Sequence, residues 1–143
     1  MRTDSEEYLN HLDHSIKEIG RNGFQQEVTN GFVQAGSLAY HTHNSRNSLE
    51  GYPDSMVPLM LRAAILEPFR RPAGAMVLTV IELKCRDNTP SNKQIGWLDA
   101  LRRCGALTFC LWPRHRPVLG DLYDGLITAR VLERLHVYEK RTL

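Results

Sequence analysis

The chain has 143 residues, 42% of them hydrophobic and 24% charged, with a formal net charge of +2 and three cysteines. That length supports one domain with a proper core and is short for two; no apolar run approaches the roughly 20 residues of a membrane span, and the acidic start MRTDSEEYLN is not a secretory signal. Cys85, Cys104 and Cys110 are odd in number and lack C-x-x-C spacing. They exclude a disulfide framework and a zinc ribbon and point to a reducing, cytoplasmic setting.

In chain order, Tyr8, Leu9, Leu12, Ile16 and Ile19 make a helical stripe over residues 4–19, with Asp4 and Glu7 as a capping-box-like start and Gly20 and Asn22-Gly23 as its end. A second helix is predicted from Phe24 to Ala35, stopped by Gly36, with Gly31 a weak point inside it. LAYHTH (38–43) alternates like a short strand, and NSRNSLEGYP (44–53) is dense in turn formers. SMVPLML (55–61) suits a strand in which Pro58 demands an edge or a bulge. Residues 62–74 hold two prolines and read as a helical turn or a loop.

MVLTVIEL (76–83) is the clearest strand. A turn at 86–92 offers Ser91 or Asn92 as a cap for an amphipathic helix at 93–105, carrying Ile95, Leu98 and Leu101 and ending at Gly105. ALTFCLW (106–112) is a further strand. A loop from Pro113 to Pro117 then leads into one final helix, 119–135. The order α-α-β-β-β-α-β-α, with a strand–helix–strand crossover at its centre, predicts an α/β fold: a small mixed sheet with helices on both faces.

Charge is unevenly spread. Residues 1–50 hold four Lys/Arg against seven Asp/Glu, whereas 51–143 hold fourteen against nine. The cations crowd into 84–116, where Lys84, Arg86, Lys93, Arg102, Arg103, Arg114 and Arg116 face only Asp87 and Asp99. Such a stretch suits a polyanion through phosphate neutralisation, or is a solvated helix face.

The chemistry centres on VIELK. In a strand Glu82 and Lys84 share a face with Val80, and buried charge demands a partner or a metal. Otherwise the pair would be polar residues at a wet strand end. Upstream, GYPD (51–54) brings Asp54 to the start of the preceding strand. Neighbouring strands would set Asp54 beside Glu82, two carboxylates whose repulsion a hard divalent cation relieves. Lys84 nearby would offset charge growing on a phosphate. His41 and His43 share a strand face but lack further ligands at metal-like spacing, so zinc is disfavoured. Trp97 and Trp112 are most simply core and edge aromatics.

Asp54…Glu82-x-Lys84 resembles the PD-(D/E)xK nuclease core. The longer string YHTHNSRNS…GYPD…IELK…Q…WL-A-L…G, over residues 24–115, resembles the virus-type replication-repair nuclease (VRR-NUC) family, found as standalone phage proteins and as a domain of larger repair enzymes. The resemblance implies a restriction-endonuclease-like domain over 24–143, preceded by a helical extension over 1–23. It implies a Mg²⁺- or Mn²⁺-dependent, structure-selective endonuclease, phage-encoded, cutting branched DNA such as four-way junctions or flaps as a homodimer. Asp54, Glu82 and the Leu83 carbonyl would hold the metal, Lys84 would be the catalytic lysine, and Gln94 would face the site. His41, Asn44, Ser45 and Arg46 would line the scissile backbone, with Arg86, Lys93, Arg102, Arg103, Arg114 and Arg116 as further DNA contacts.

Two departures stand out. The family's first-helix glutamate would fall just before Phe24, where this chain has Arg21-Asn22-Gly23; Glu27 and Gln25 are the candidate substitutes. The 62–74 insertion also lengthens the path between Asp54 and Glu82. The first helix, outside the family core, could serve as a dimer contact or a lid. A nuclease fold kept for DNA or protein binding without catalysis is the competing class. A sequence-specific restriction enzyme ranks lower, since no recognition domain is visible.

Overall fold

The computed structural model describes residues 5–41, 51–66 and 70–140. Its elements are α1 (Glu6–Asp13), α2 (Phe24–Gln34), β1 (Tyr40–His41), β2 (Ser55–Met60), β3 (Met76–Leu83), α3 (Asn92–Arg103), β4 (Leu107–Leu111), a 3₁₀ turn (Pro113–His115), α4 (Arg116–Tyr123) and α5 (Ala129–Val137). The four strands form one mixed sheet in the order β1-β2-β3-β4. β1, β2 and β3 run antiparallel in turn, and β3 pairs parallel with β4 across α3. The α/β class and the central parallel crossover are as the strand–helix–strand pattern predicts.

Alternation divides the sheet into two faces. Val57, Leu59, Val77, Ile81, Leu83, Leu107 and Leu111 turn to the main core, where they meet Phe24, Val28 and Phe32 of α2, Leu119 and Leu122 of α4, and Val131 and Leu135 of α5. Burying a side chain of this kind contributes about 1.5–3 kcal/mol. The opposite face, carrying Val80, Glu82, Thr108 and Cys110, belongs to α3. No side chain of α3 is fully buried.

Several boundaries differ from the sequence-based expectation. α1 stops at Asp13, and its cap is the Ser5 hydroxyl rather than Asp4. The segment after it leaves the helix because its main chain bonds elsewhere: the Asp13 carbonyl accepts from Arg86 N–H, and Lys17 and Glu18 carbonyls accept from Phe24 and Gln25. Gly31, the weak point of α2, has a packing reason, because a Cβ there would meet the Tyr123 ring at 2.3 Å. Pro58 lies within β2, where β1 pairs only with Met56 and Ser55 and no strand among the described residues lies beside Pro58 on that side.

The single C-terminal helix is in fact two. Gly125, at φ +74°, comes so close to the Met60 carbonyl that a Cβ there would strike its oxygen. Its own carbonyl accepts from Arg62 N–H. Thr128 then caps α5 through its side chain. Residues 113–117 are likewise not a plain loop but the 3₁₀ turn and the start of α4. Within the 62–74 insertion the described residues form an isolated bridge between Ile65 and Arg71.

The N-terminal segment is tied tightly to the rest. Leu9 is buried. The fully buried Asp13 carboxylate accepts from Arg114 N–H at 3.0 Å and Nε at 2.8 Å. Arg114 also donates to Glu6 and Asn10.

Candidate active site

β3 delivers Glu82 and Lys84 to the α3 face of the sheet. The Glu82 side chain is 2% exposed, and Lys84 Nζ lies 3.5 Å from its Oε1. The start of β2 delivers Asp54, whose Oδ2 accepts from the Leu83 N–H at 2.9 Å. Because the N–H and C=O of a strand residue point to the same side, the Leu83 carbonyl also faces the β2 side, where Asp54 lies.

α3 closes the cluster from above. Ser91 and Gln94 form a capping box: Gln94 N–H donates to Ser91 Oγ at 3.1 Å, and Gln94 Oε1 accepts from Ser91 N–H at 2.8 Å. With its oxygen held in the cap, Gln94 aims Nε2 at Glu82 Oε1, 2.8 Å away. Gly51 lets the GYPD loop lie against this same turn. It sits at φ +84°, and a Cβ there would come within 2.7–2.9 Å of Lys93 and the Gln94 nitrogen. Tyr52 adds an edge-to-face contact with Trp97 at 5.2 Å. The loop bearing Asp54 and the helix bearing Gln94 are therefore packed as one unit.

Two carboxylates face each other across a buried, low-dielectric site. Burial, and next the Asp54 charge, push the Glu82 carboxyl up to about 8, with Lys84 pulling the other way. Among the described residues, the buried Glu82 Oε2 has no hydrogen-bond partner. Such an orphan acceptor beside a second carboxylate is what a hard divalent cation satisfies. Among the described residues no group of three or more His, Cys, Asp or Glu side chains is arranged to hold a metal. Asp54 and Glu82 would therefore share the ion with main-chain oxygen and water. That fits Mg²⁺, which commonly takes one or two carboxylates and keeps several waters.

One residue at this site escaped the sequence reading. Glu18, half-buried in the irregular stretch after α1, accepts from the Cys85 N–H at 2.9 Å. Its carboxyl is raised above the usual range by burial, while the Cys85 N–H and the Lys84 charge favour ionisation. It lies within the helix expected over residues 4–19 but outside that helix's apolar stripe, and nothing local signals that the chain leaves the helix after Asp13.

The candidate substitutes for a first-helix glutamate fare differently. Glu27 is not brought to the cluster, because Arg116 holds it by two bonds of 2.8 and 3.0 Å. Gln25 is buried at the start of α2, where its N–H donates to the Glu18 carbonyl.

The proposed DNA contacts divide as well. Arg114 is 2% exposed and consumed by Asp13, Glu6 and Asn10, so it is a structural cation and not a phosphate contact. Arg116 is committed to Glu27. Arg102 and Arg103 both pair with Asp99 yet remain 58% and 80% exposed. Arg86 and Lys93 are exposed. His41 Nδ1 lies 3.1 Å from the Asp54 carbonyl oxygen, bracing the loop. His43, Asn44, Ser45 and Arg46 lie outside the described residues. Trp112 is core, with its indole N–H bonded to the Asn88 carbonyl.

No family model, no curated protein and no solved structure matches this chain.

Proposed function

We propose that the protein is a divalent-metal-dependent DNA endonuclease of the PD-(D/E)xK type, with VRR-NUC-like architecture and a preference for branched DNA. The observation that carries this reading is the buried Glu82 carboxyl group, held between Gln94, Lys84 and Asp54 with one oxygen that no donor among the described residues reaches. A structural ion pair would satisfy both oxygens; a carboxylate kept half-satisfied beside another is poised for a ligand. The antiparallel β2–β3 pair followed by a parallel crossover to β4 supports a restriction-endonuclease-like fold.

When bound, Mg²⁺ or Mn²⁺ supplies Lewis-acid polarisation of the phosphate and activation of water. Asp54 and Glu82 would hold the ion, and the Leu83 carbonyl, which faces the Asp54 side, is a further oxygen available to it. Gln94 fixes the rotamer of Glu82 through its donated hydrogen bond. Lys84, one pleat on and 13% exposed, offsets negative charge developing on the phosphoryl oxygens. Glu18 braces the strand end next to Lys84 and stands in for the absent first-helix glutamate. Exposed Arg86, Lys93, Arg102 and Arg103 form the remaining cationic surface for DNA.

The test is a cleavage assay with labelled four-way junction, flap, duplex and single-stranded DNA, with and without Mg²⁺ or Mn²⁺. The reading expects metal-dependent cutting that Glu82→Ala abolishes while DNA binding persists. Binding without cutting under every metal condition would leave a DNA-binding module, and cutting by Glu82→Ala would remove the site.

A further inference from the structure

α3 covers only part of its sheet face. Val80 and Glu82 are buried there, whereas Pro58, Met60, Met76 and Leu78 of the same face stay exposed. A row of aromatic rings crosses this face beside the site. Tyr40 of β1 stands opposite Met56, itself opposite Val80, so its side chain lies on the α3 face, where it is 62% exposed. The Tyr52 hydroxyl donates to the Met56 sulfur at 3.4 Å, and the Tyr52 ring meets the Trp97 indole edge to face. Tyr40, Tyr52 and Trp97 thus step from the β1 edge to α3, passing the loop that carries Asp54.

The α3 end of the row opens on a shallow hollow of about 430 Å³, lined by Lys93, Gly96, Trp97 and Ala100. Trp97 is half-buried, so its indole is not a core ring like that of Trp112. A Cβ at Gly96 would meet nothing within 4 Å, which leaves the surface beside the indole bare. The charged residue in this lining is Lys93, exposed and directly before Gln94, whose amide bonds Glu82.

We propose that this row is a stacking platform for unpaired bases of the strand being cut. One base lies against the Trp97 indole over Gly96 and Ala100, bases further along the strand reach Tyr40, and Lys93 meets the intervening backbone phosphate. The chemistry favours a nucleobase over an apolar protein segment. A flat π-face takes a flat ring, the small residues leave room for it, and a cation in a lining without carboxylates suits a phosphodiester. Bases inside a continuous duplex are stacked on one another and offer no free face, so the platform selects DNA that is already unpaired there. The proposal rests on the nuclease reading for its substrate and adds where the cut falls: at an unpaired stretch of the strand.

Intrinsic fluorescence tests it, because Trp112 is buried in the core and quenching by DNA reads Trp97. The full chain, without added metal, is titrated with oligothymidine, a blunt duplex, and the same duplex carrying an oligothymidine tail. Oligothymidine and the tailed duplex should quench the indole, and the tailed duplex should bind more tightly than the blunt one. Trp97→Leu and Tyr40→Ser should each lower affinity for the tailed duplex roughly 5- to 100-fold, leaving the blunt duplex within about twofold. Tyr40 is exposed, so its variant keeps the fold even if Trp97→Leu does not. Lys93→Gln should flatten the salt dependence of tailed-duplex binding by about one phosphate contact. Equal binding of the tailed and blunt duplexes, binding of neither, or tail-selective binding that survives both aromatic substitutions overturns the proposal. The nuclease reading fails separately: with no metal-dependent cutting of any DNA, tail-selective quenching lost in Tyr40→Ser would still establish the platform.

Discussion

Gln94 donates to Glu82 while its carbonyl oxygen is fixed by the Ser91 N–H, so one amide both starts α3 and orients the central carboxylate of the site. The two roles separate experimentally. Gln94→Glu keeps the acceptor that closes the capping box and replaces the donor to Glu82 with a repelling oxygen. Cleavage should fall by roughly 10–100-fold, the usual cost of losing a partner that orients a metal ligand, while the thermal midpoint at neutral pH should move less than for Gln94→Ala. Unchanged turnover in Gln94→Glu would reduce Gln94 to a helix cap.

Metal binding should be visible without DNA. Because a divalent cation would replace the proton that burial and Asp54 keep on Glu82, Mg²⁺ or Mn²⁺ should raise the melting temperature of the wild type in proportion to the logarithm of its concentration. Glu82→Gln and Asp54→Asn should lose most of that shift. Because the folded Glu82 carboxyl titrates near 8, above its ordinary value, its stability contribution is present at low pH and is lost as pH rises through 8. Metal-free Glu82→Gln should therefore gain stability over the wild type at alkaline pH, as read by denaturant unfolding.

Glu18 and Glu27 give opposite expectations. Glu18→Gln should slow cleavage by one to two orders of magnitude, since it braces the strand beside Lys84. Glu27→Gln should leave cleavage near wild type and lower stability only modestly, because its ion pair with Arg116 is about one-third exposed. Parallel single-turnover assays decide; the reverse ranking would return the role to Glu27.

The Asp13–Arg114 pair should dominate the anchoring of the N-terminal segment. Arg114→Met strands a fully buried carboxylate and should cost roughly 3–5 kcal/mol, softened by Lys140 Nζ at 3.3 Å. Asp13→Leu combined with Arg114→Met should recover part of the loss. Urea unfolding of the single and double variants measures both; strict additivity would mean that the pair is not coupled.

His115 predicts acid sensitivity of another origin. It is buried, its ring accepts from the Trp112 N–H and faces the Leu135 carbonyl, and burial lowers its pKa to about 4. The unfolded chain takes up this proton near 6.5, so stability is full above that pH and declines as pH falls toward 4. The loss amounts to roughly 3 kcal/mol. His115→Gln should flatten the slope of unfolding free energy against pH over that window.

Features governed by short-range rules were legible in the residue order. Alternation in MVLTVIEL placed Glu82 and Lys84 on one face with Val80, turn formers and Ser91 located the start of α3, and the strand–helix–strand spacing required a parallel β3–β4 pair. Asp54 beside Glu82 followed once β2 and β3 were neighbours. Partners chosen across long distances in the chain emerged only from the folded core. Arg114 reads as a free cation until Asp13, a hundred residues earlier, claims it in the core. Glu27 reads as the natural first-helix carboxylate until Arg116 takes it, and Glu18 arrives instead because the chain leaves α1 early to bond Arg86 and α2. The break at Gly125 has the same cause: its contact is with the Met60 carbonyl, on a strand that no window around residue 125 contains. Periodicity and caps are properties of neighbouring residues, whereas charge pairing and close backbone contact depend on which segments the folded core brings together.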